Sequence, residues 1–205
     1  LEFKLTTANG TCWASLREFL KRTTSTAVCI QEHRLDSEEE LAKADAWCRT
    51  NGWQAHCSKA ASSTAGGEAS GGTAVLVRKG IGICEADDIL QPKPRRVAAK
   101  VNIPGGRQVL IVAAYFKCSI GMTGTNLDLF QAIGEAMNEW GGAAAVGADF
   151  NATPQEVEDI MGTRNAEQKI VAPVAPRGTC AGAKGNQGRL IDFFLMTHDL
   201  TGAIN

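Results

Sequence analysis

The chain is predicted to fold as α+β, a layered α/β arrangement of two β-sheets face to face with helices outside. Three observations predict it. Short apolar runs such as residues 27–30 and 145–148 read as buried strands. The runs 96–103 and 108–116 flank Pro104-Gly105-Gly106-Arg107, a hairpin signal that a plain βαβ series does not contain. Finally, 205 residues with a 44% hydrophobic share can bury one sizeable core.

The elements follow in order. Residues 1–8 alternate weakly and end at Asn9-Gly10, a turn signal. Trp13, Leu16, Phe19 and Leu20 fall at helical spacing within residues 12–22. The strand at 27–30 runs out into Gln31-Glu32-His33. Ser37-Glu38-Glu39-Glu40 reads as a capping box, opening a helix that Asn51-Gly52 closes. Residues 53–57 read as a strand. Residues 60–72, rich in Gly, Ser and Ala, are expected to form a flexible surface loop inside a single domain spanning 1–205, because strands on both flanks need the same core. A strand at 73–77 and the hairpin come next. Leu127, Phe130, Ile133, Met137 and Trp140 then make one helical face, stopped by Gly141-Gly142. The strand ending at Asp149, a short helix at 154–161 and a last strand at 190–196 complete the pattern.

The formal net charge is -1, so no global field draws the chain onto a polyanion and any such contact needs a local patch. No apolar run approaches the length of a membrane span. The first residue is Leu1, so a targeting segment upstream remains open. Seven cysteines, with no Cys-x-x-Cys, argue against a zinc ribbon and for a reducing, intracellular setting.

The chemistry concentrates where apolar runs turn polar. In Gly147-Ala148-Asp149-Phe150-Asn151 the two-residue period of a strand sets Asp149 and Asn151 on one face and Phe150 on the other. A carboxylate beside a neutral amide suits phosphate esters: one orients water or holds a cation, the other touches phosphate without repelling it. The bland alternative is an Asx-type turn capping the next helix. Asn9, Glu32 and Asp192 stand at further strand ends, and Tyr115, the chain's one tyrosine, closes another. Glu32 alone reads as an N-cap or helix-dipole partner, and Asn9 alone as a turn residue. Asp192, between Ile191 and Phe193, is an acid in a core-like run and needs a partner.

The ordered set Asn9, Gln31-Glu32, Gly71-Gly72, Tyr115, Gly147-x-Asp149-Phe150-Asn151 and Arg189-Leu190-Ile191-Asp192-Phe193 resembles the endonuclease/exonuclease/phosphatase superfamily. Within it the chain is most similar to abasic-site endonucleases and the endonuclease domains of non-LTR retrotransposons. The resemblance implies a four-layered sandwich of two mixed β-sheets with outer helices. It implies a DNA endonuclease that hydrolyses phosphodiesters with Mg²⁺ or Mn²⁺, nucleic acid as partner, no membrane, and an intracellular, nuclear location. Glu32 would be the principal metal ligand with Asn9 beside it, a set of hard oxygen donors. Asp149 would orient or deprotonate the attacking water, and Asn151 and Tyr115 would hydrogen-bond the scissile phosphate. Asp192 would support a histidine.

That histidine, carried in the family by a Ser-Asp-His motif, has no counterpart in this sequence. The expectation is a domain truncated at its carboxyl end, short of its last strand and weak or inactive alone. His198 reads as a strand-end residue, His33 as a solvated loop residue and His56 as a strand residue of no special role. Lys93, Arg95 and Arg96, with Arg177 and Lys184, are candidate phosphate contacts or a solvated face. The competing functions are the same chemistry on RNA or a phospholipid or inositol phosphate, and a non-catalytic remnant.

Overall fold

Two mixed sheets of unequal size stack through a shared apolar layer. The structure is a computed structural model that describes residues 3–10, 12–62, 69–162, 168–173, 179 and 188–200. Among these, the smaller sheet contains β1 (Leu5–Asn9), β2 (Ala27–Gln31), β3 (Trp53–Cys57) and β4 (Ala74–Arg78), in the order β1-β2-β4-β3. The larger contains β5 (Ile83–Glu85), β6 (Arg96–Ile103), β7 (Arg107–Tyr115), β8 (Ala144–Asp149), β9 (Gln168–Val171) and β10 (Asp192–Thr197), in the order β5-β6-β7-β8-β10-β9. β1 and β2 run parallel, as do β7 and β8, and the other neighbours are antiparallel.

Helices α1 (Trp13–Arg22) and α2 (Glu38–Thr50) cover the small sheet, and α3 (Thr125–Trp140) and α4 (Pro154–Met161) cover the large one. The resulting layers are helix, sheet, sheet, helix, with one apolar cluster in each of the three gaps. α2 starts where Ser37 accepts from the Glu40 amide, although Glu40 returns its carboxylate to the Asp36 amide, one residue before the usual capping-box arm. The Gly141 end of α3 is left-handed, as a helix stop of this kind requires.

Two short strands have no counterpart in the sequence reading. β5 and β9 lie at the edges of the large sheet with mostly half-exposed or exposed side chains, so neither shows an apolar run. In the tract 60–72, Ala61 and Ser70 pair as an isolated bridge, and residues 63–68 lie outside the described set.

At β8 the two sheets pack tightly against each other. A methyl group on Gly147 would meet the Cys29 side chain at 2.8 Å and the Phe194 ring at 2.7 Å, so glycine is what lets β2 and β8 approach. Gln31 then bolts the sheets together. It is fully buried, accepts from the Thr7 hydroxyl at 2.9 Å, and donates to the Gly147 carbonyl at 2.9 Å. A buried amide so satisfied fixes alignment between layers.

Candidate active site

Three adjacent strands of the large sheet present a polar line. The register sets Tyr115 opposite Asp149, and Asp149 opposite Asp192. Tyr115 and Asp149 end their strands, while Asp192 opens the antiparallel β10. One residue further along each chain, the alternation turns an aromatic ring to the opposite face. Phe116, Phe150 and Phe193 stack there, with centroids 5.1 Å apart for the first pair and 4.2 Å for the second. The polar line therefore rests on a fully buried aromatic column.

The small sheet supplies the facing groups. Asn9 and Gln31 are paired at the ends of β1 and β2, and Glu32 follows in the left-handed region at φ 56°. The Asn9 amide donates to Asp149 Oδ2 at 2.5 Å, joining residues 140 positions apart. The Tyr115 hydroxyl lies near the Glu32 carboxylate, which acts on it electrostatically. Asn9 and Glu32 of the small sheet thus face Asp149 and Tyr115 of the large one. All six residues singled out from the sequence gather here.

Asn151 arrives differently from the expectation. β8 ends at Asp149, and Asn151 is left-handed at φ 49°, so the two share no strand face. The Asn151 amide nitrogen donates to Asp149 Oδ1 at 3.0 Å, and its side chain donates to the Phe116 carbonyl at 2.7 Å. The Asx turn and the site coincide: the turn itself holds the carboxylate in place.

Among the described residues no ion pair reaches these acids. Asp149 is 3% exposed. Burial, then repulsion from Asp192 and Glu32, pushes its carboxyl up to about 7 against the bonds from Asn151. Burial likewise raises Asp192, opposed by the Thr179 hydroxyl, and Asp192 Oδ1 is buried without a partner among the described residues. Burial and the nearby carboxylates of Glu32 and Asp149 hold the Tyr115 hydroxyl far above its usual range, so it acts as a neutral donor. Among the described residues no three His, Cys, Asp or Glu side chains could hold one metal ion. The oxygen donors of Glu32 and Asn9 fit an ion that keeps most of its water and takes one or two protein ligands, as Mg²⁺ does.

The histidines divide. His198 opens a 3₁₀ turn beyond the far end of β10, a strand length away from Asp192, as its strand-end reading expects. His56 bridges β3 to Asp87 at 3.0 Å and lies outside the site. His33 overturns its reading as a solvated loop residue: it is 1% exposed, because the turn after β2 tucks beneath Gly71-Gly72. Its Nδ1 accepts from the Leu35 amide at 3.1 Å, and a methyl group on Gly72, at φ +80°, would strike the ring at 2.5 Å. The signal available in sequence was the Gly71-Gly72 pair, which says that something passes close. Lys93, Arg95 and Arg96 stand beside the site, since the Tyr115 amide donates to the Arg95 carbonyl at 2.9 Å. Arg177 and Lys184 lie outside the described residues.

A two-sheet sandwich with acids, amides and a tyrosine gathered at its strand ends defines a scaffold for phosphoester cleavage. The chain belongs to the Endonuclease/Exonuclease/phosphatase family, whose model matches residues 12–202. Phosphoester hydrolysis is accordingly its class of chemistry. The fold is similar to the endonuclease domain of TRAS1, a telomere-specific non-LTR retrotransposon, at TM-score 0.66 and 16% identity, covering 98% of this chain and 87% of that one. It is also similar to the 3'-5' exonuclease NExo of Neisseria meningitidis (TM-score 0.64, 15% identity, 98% and 89% covered). An AP endonuclease from Archaeoglobus fulgidus gives TM-score 0.61 at 14% identity, with 97% and 88% covered. No curated protein sequence matches significantly.

Proposed function

We propose that this chain is a Mg²⁺- or Mn²⁺-dependent phosphodiester hydrolase that nicks DNA, as the endonuclease of a non-LTR retrotransposon does. The observation that carries the reading is the convergence of Glu32 and Asn9 from one sheet with Tyr115, Asp149 and Asp192 from the other, the acids left without a cation partner among the described residues. DNA is favoured because fold relatives include a retrotransposon endonuclease domain, AP endonucleases, and a 3' phosphatase bound to a product DNA hairpin.

In this reading Glu32 and Asn9 hold the metal, which when bound lowers the pKa of water and offsets charge on the phosphate. Asp149, steered by Asn9 and the Asn151 amide, takes the proton of the attacking water. The Tyr115 hydroxyl and the Asn151 side-chain amide donate to the phosphate oxygens as charge builds there. Asp192, with one oxygen unsatisfied, orients a donor brought to it. Supercoiled plasmid incubated with the chain and Mg²⁺ should be nicked, slowly for want of the Ser-Asp-His motif, and EDTA should stop it. Calorimetric Mg²⁺ binding should vanish in Glu32→Ala. Undiminished binding in that variant, or plasmid left intact while a phosphoinositide is hydrolysed, refutes the assignment.

A further inference from the structure

Beside the reactive line lies a groove of about 670 Å³ between the segment that leads into β6, the segment after β7 and helix α3. Lys93, Arg95, Arg96 and Lys117 line it, and Asp128 is the one carboxylate among its lining residues. None of these four cations forms an ion pair among the described residues. A protein of net charge -1 thus concentrates uncompensated positive charge in one concave place, a few residues from its reactive carboxylates.

The groove is also built, not merely charged. Asn126 is fully buried beneath it. Its Oδ1 accepts from the Lys117 amide at 2.9 Å and from Arg95 Nη1 at 3.0 Å, and its Nδ2 donates to the carbonyls of Lys117 at 2.9 Å and Gly121 at 2.8 Å. Arg95 Nη2 reaches the Thr125 carbonyl at 3.3 Å. One buried amide therefore fixes both a guanidinium and the loop that carries Lys117. Arg95 and Tyr115 are joined through their backbones, so this bracing also ties the groove to the reactive line.

We propose that this groove seats the sugar-phosphate backbone of a nucleic-acid strand on one side of the scissile phosphate. Lys93, Arg95, Arg96 and Lys117 contact successive phosphates there, and Asn126 presets their spacing. The proposal rests on the functional reading above and adds a surface that the reactive residues do not contain. A nucleic-acid backbone fits better than a lipid surface, because the cations line a concavity and come from two separate segments, which matches a run of charges rather than one headgroup. Contacts of this kind position a strand without reading its sequence.

The test is anisotropy of a fluorescein-labelled duplex titrated with the whole chain in EDTA, from 50 to 250 mM KCl (conditions spanning roughly the range where phosphate contacts are lost). Lys93→Ala and Lys117→Ala, both at exposed side chains, should each weaken binding to any sequence and lower the slope of log affinity against log salt by about 1, and together by about 2. Lys79→Ala, on the distant His56 face, should leave the slope alone. Equal effects from Lys79→Ala and Lys93→Ala, or a double variant with wild-type slope, overturn the proposal. So does binding to anionic vesicles in place of DNA. Because the assay contains no metal, it reads the groove alone. Failure of the hydrolase reading would show instead as absent Mg²⁺-dependent nicking.

Discussion

Two clefts of similar size carry acidic side chains on this protein, and they are built on opposite terms. One, of about 570 Å³, lies where Asp45, Arg49, His56, Lys79 and Glu85 meet. There the acids have partners: Arg49 meets Asp45 at 2.8 Å, and His56 lies 3.0 Å from Asp87 and 3.7 Å from Glu85, whose side chain is 72% exposed. The other, of about 530 Å³, opens between Asn9 and Asp192 at the reactive line. Behind its lining, Asp149 is buried near the carboxylates of Asp192 and Glu32, and none of the three forms an ion pair among the described residues. Paired, solvated charge contributes little and stores nothing. Buried, unpaired charge destabilises the fold and is maintained only by surrounding structure, which is the signature of a site with chemistry to perform. Size does not separate the clefts; compensation does.

The sharpest break between them is catalytic. Asp149→Ala should lower Mg²⁺-dependent nicking by roughly 10²- to 10⁴-fold, the range for losing a positioned base. Asp87→Ala, which removes the partner of His56 beside the paired cleft, should leave the rate within about twofold, as a surface substitution does. Similar losses from both would show that the contrast in compensation says nothing about function.

Next is the platform under the reactive line. Phe150 is the middle ring of the aromatic column. Truncating it to Ala should cost about 3–5 kcal/mol in denaturant unfolding, since a buried ring leaves a cavity that its neighbours fill only in part. Trp140→Ala, at the half-buried end of α3, should cost less. An equal or smaller loss for Phe150→Ala would mean that the column does not support the site.

The third prediction concerns pH. Asp149 has an ordinary value of 3.8 and sits near about 7 in the fold, so between these values the folded, metal-free chain holds a proton that the unfolded chain has released. Its stabilising contribution is full below pH 3.8 and is lost as pH rises through about 7. Burial moves His33 the other way, from 6.5 down to about 4, so there the unfolded chain holds the extra proton and stability grows as pH rises towards 6.5. Each slope is about 1.4 kcal/mol per pH unit at most. Between pH ~4 and 6.5 the two oppose each other, and the wild type should vary little with pH through this pair. Asp149→Asn should leave a rise in stability with pH, and His33→Asn should leave a fall. Chemical denaturation in EDTA at intervals across that window measures both, and parallel curves for the two variants contradict the opposing assignments.

These contrasts also mark what the sequence discloses. Asn9, Glu32, Tyr115, Asp149 and Asp192 were legible because each interrupts an apolar run at a strand end, a local event. The sheet order, the Asn9 to Asp149 contact and the Gln31 bolt were not, because they depend on which strands become neighbours across long stretches of chain. β5 and β9 were invisible for a simpler reason: a strand at a sheet edge with exposed side chains carries no alternation to read. Asn151 misled because strand periodicity was carried one turn beyond the end of the strand.

His33 gives the smallest and most specific prediction. A polar neighbourhood, Gln31-Glu32-His33-Arg34, suggests solvent, yet Glu32 and Arg34 are both left-handed, at φ 56° and 61°, and this double reversal drives the ring between them inward. Its place in the fold rests on the bond from the Leu35 amide and on the bare face of Gly72. His33→Leu fills the space but leaves that buried N–H without an acceptor, a loss of about 1–3 kcal/mol. His33→Asn offers an oxygen in the same region and should lose less, about 1 kcal/mol or under. If the ring also sets the backbone of Glu32, His33→Leu should raise the Mg²⁺ concentration that half-saturates nicking, while His33→Asn restores it in part. A stability loss in His33→Leu with unchanged Mg²⁺ dependence would confine the histidine to packing and leave the left-handed Glu32 to be held by the Gly71-Gly72 contacts alone.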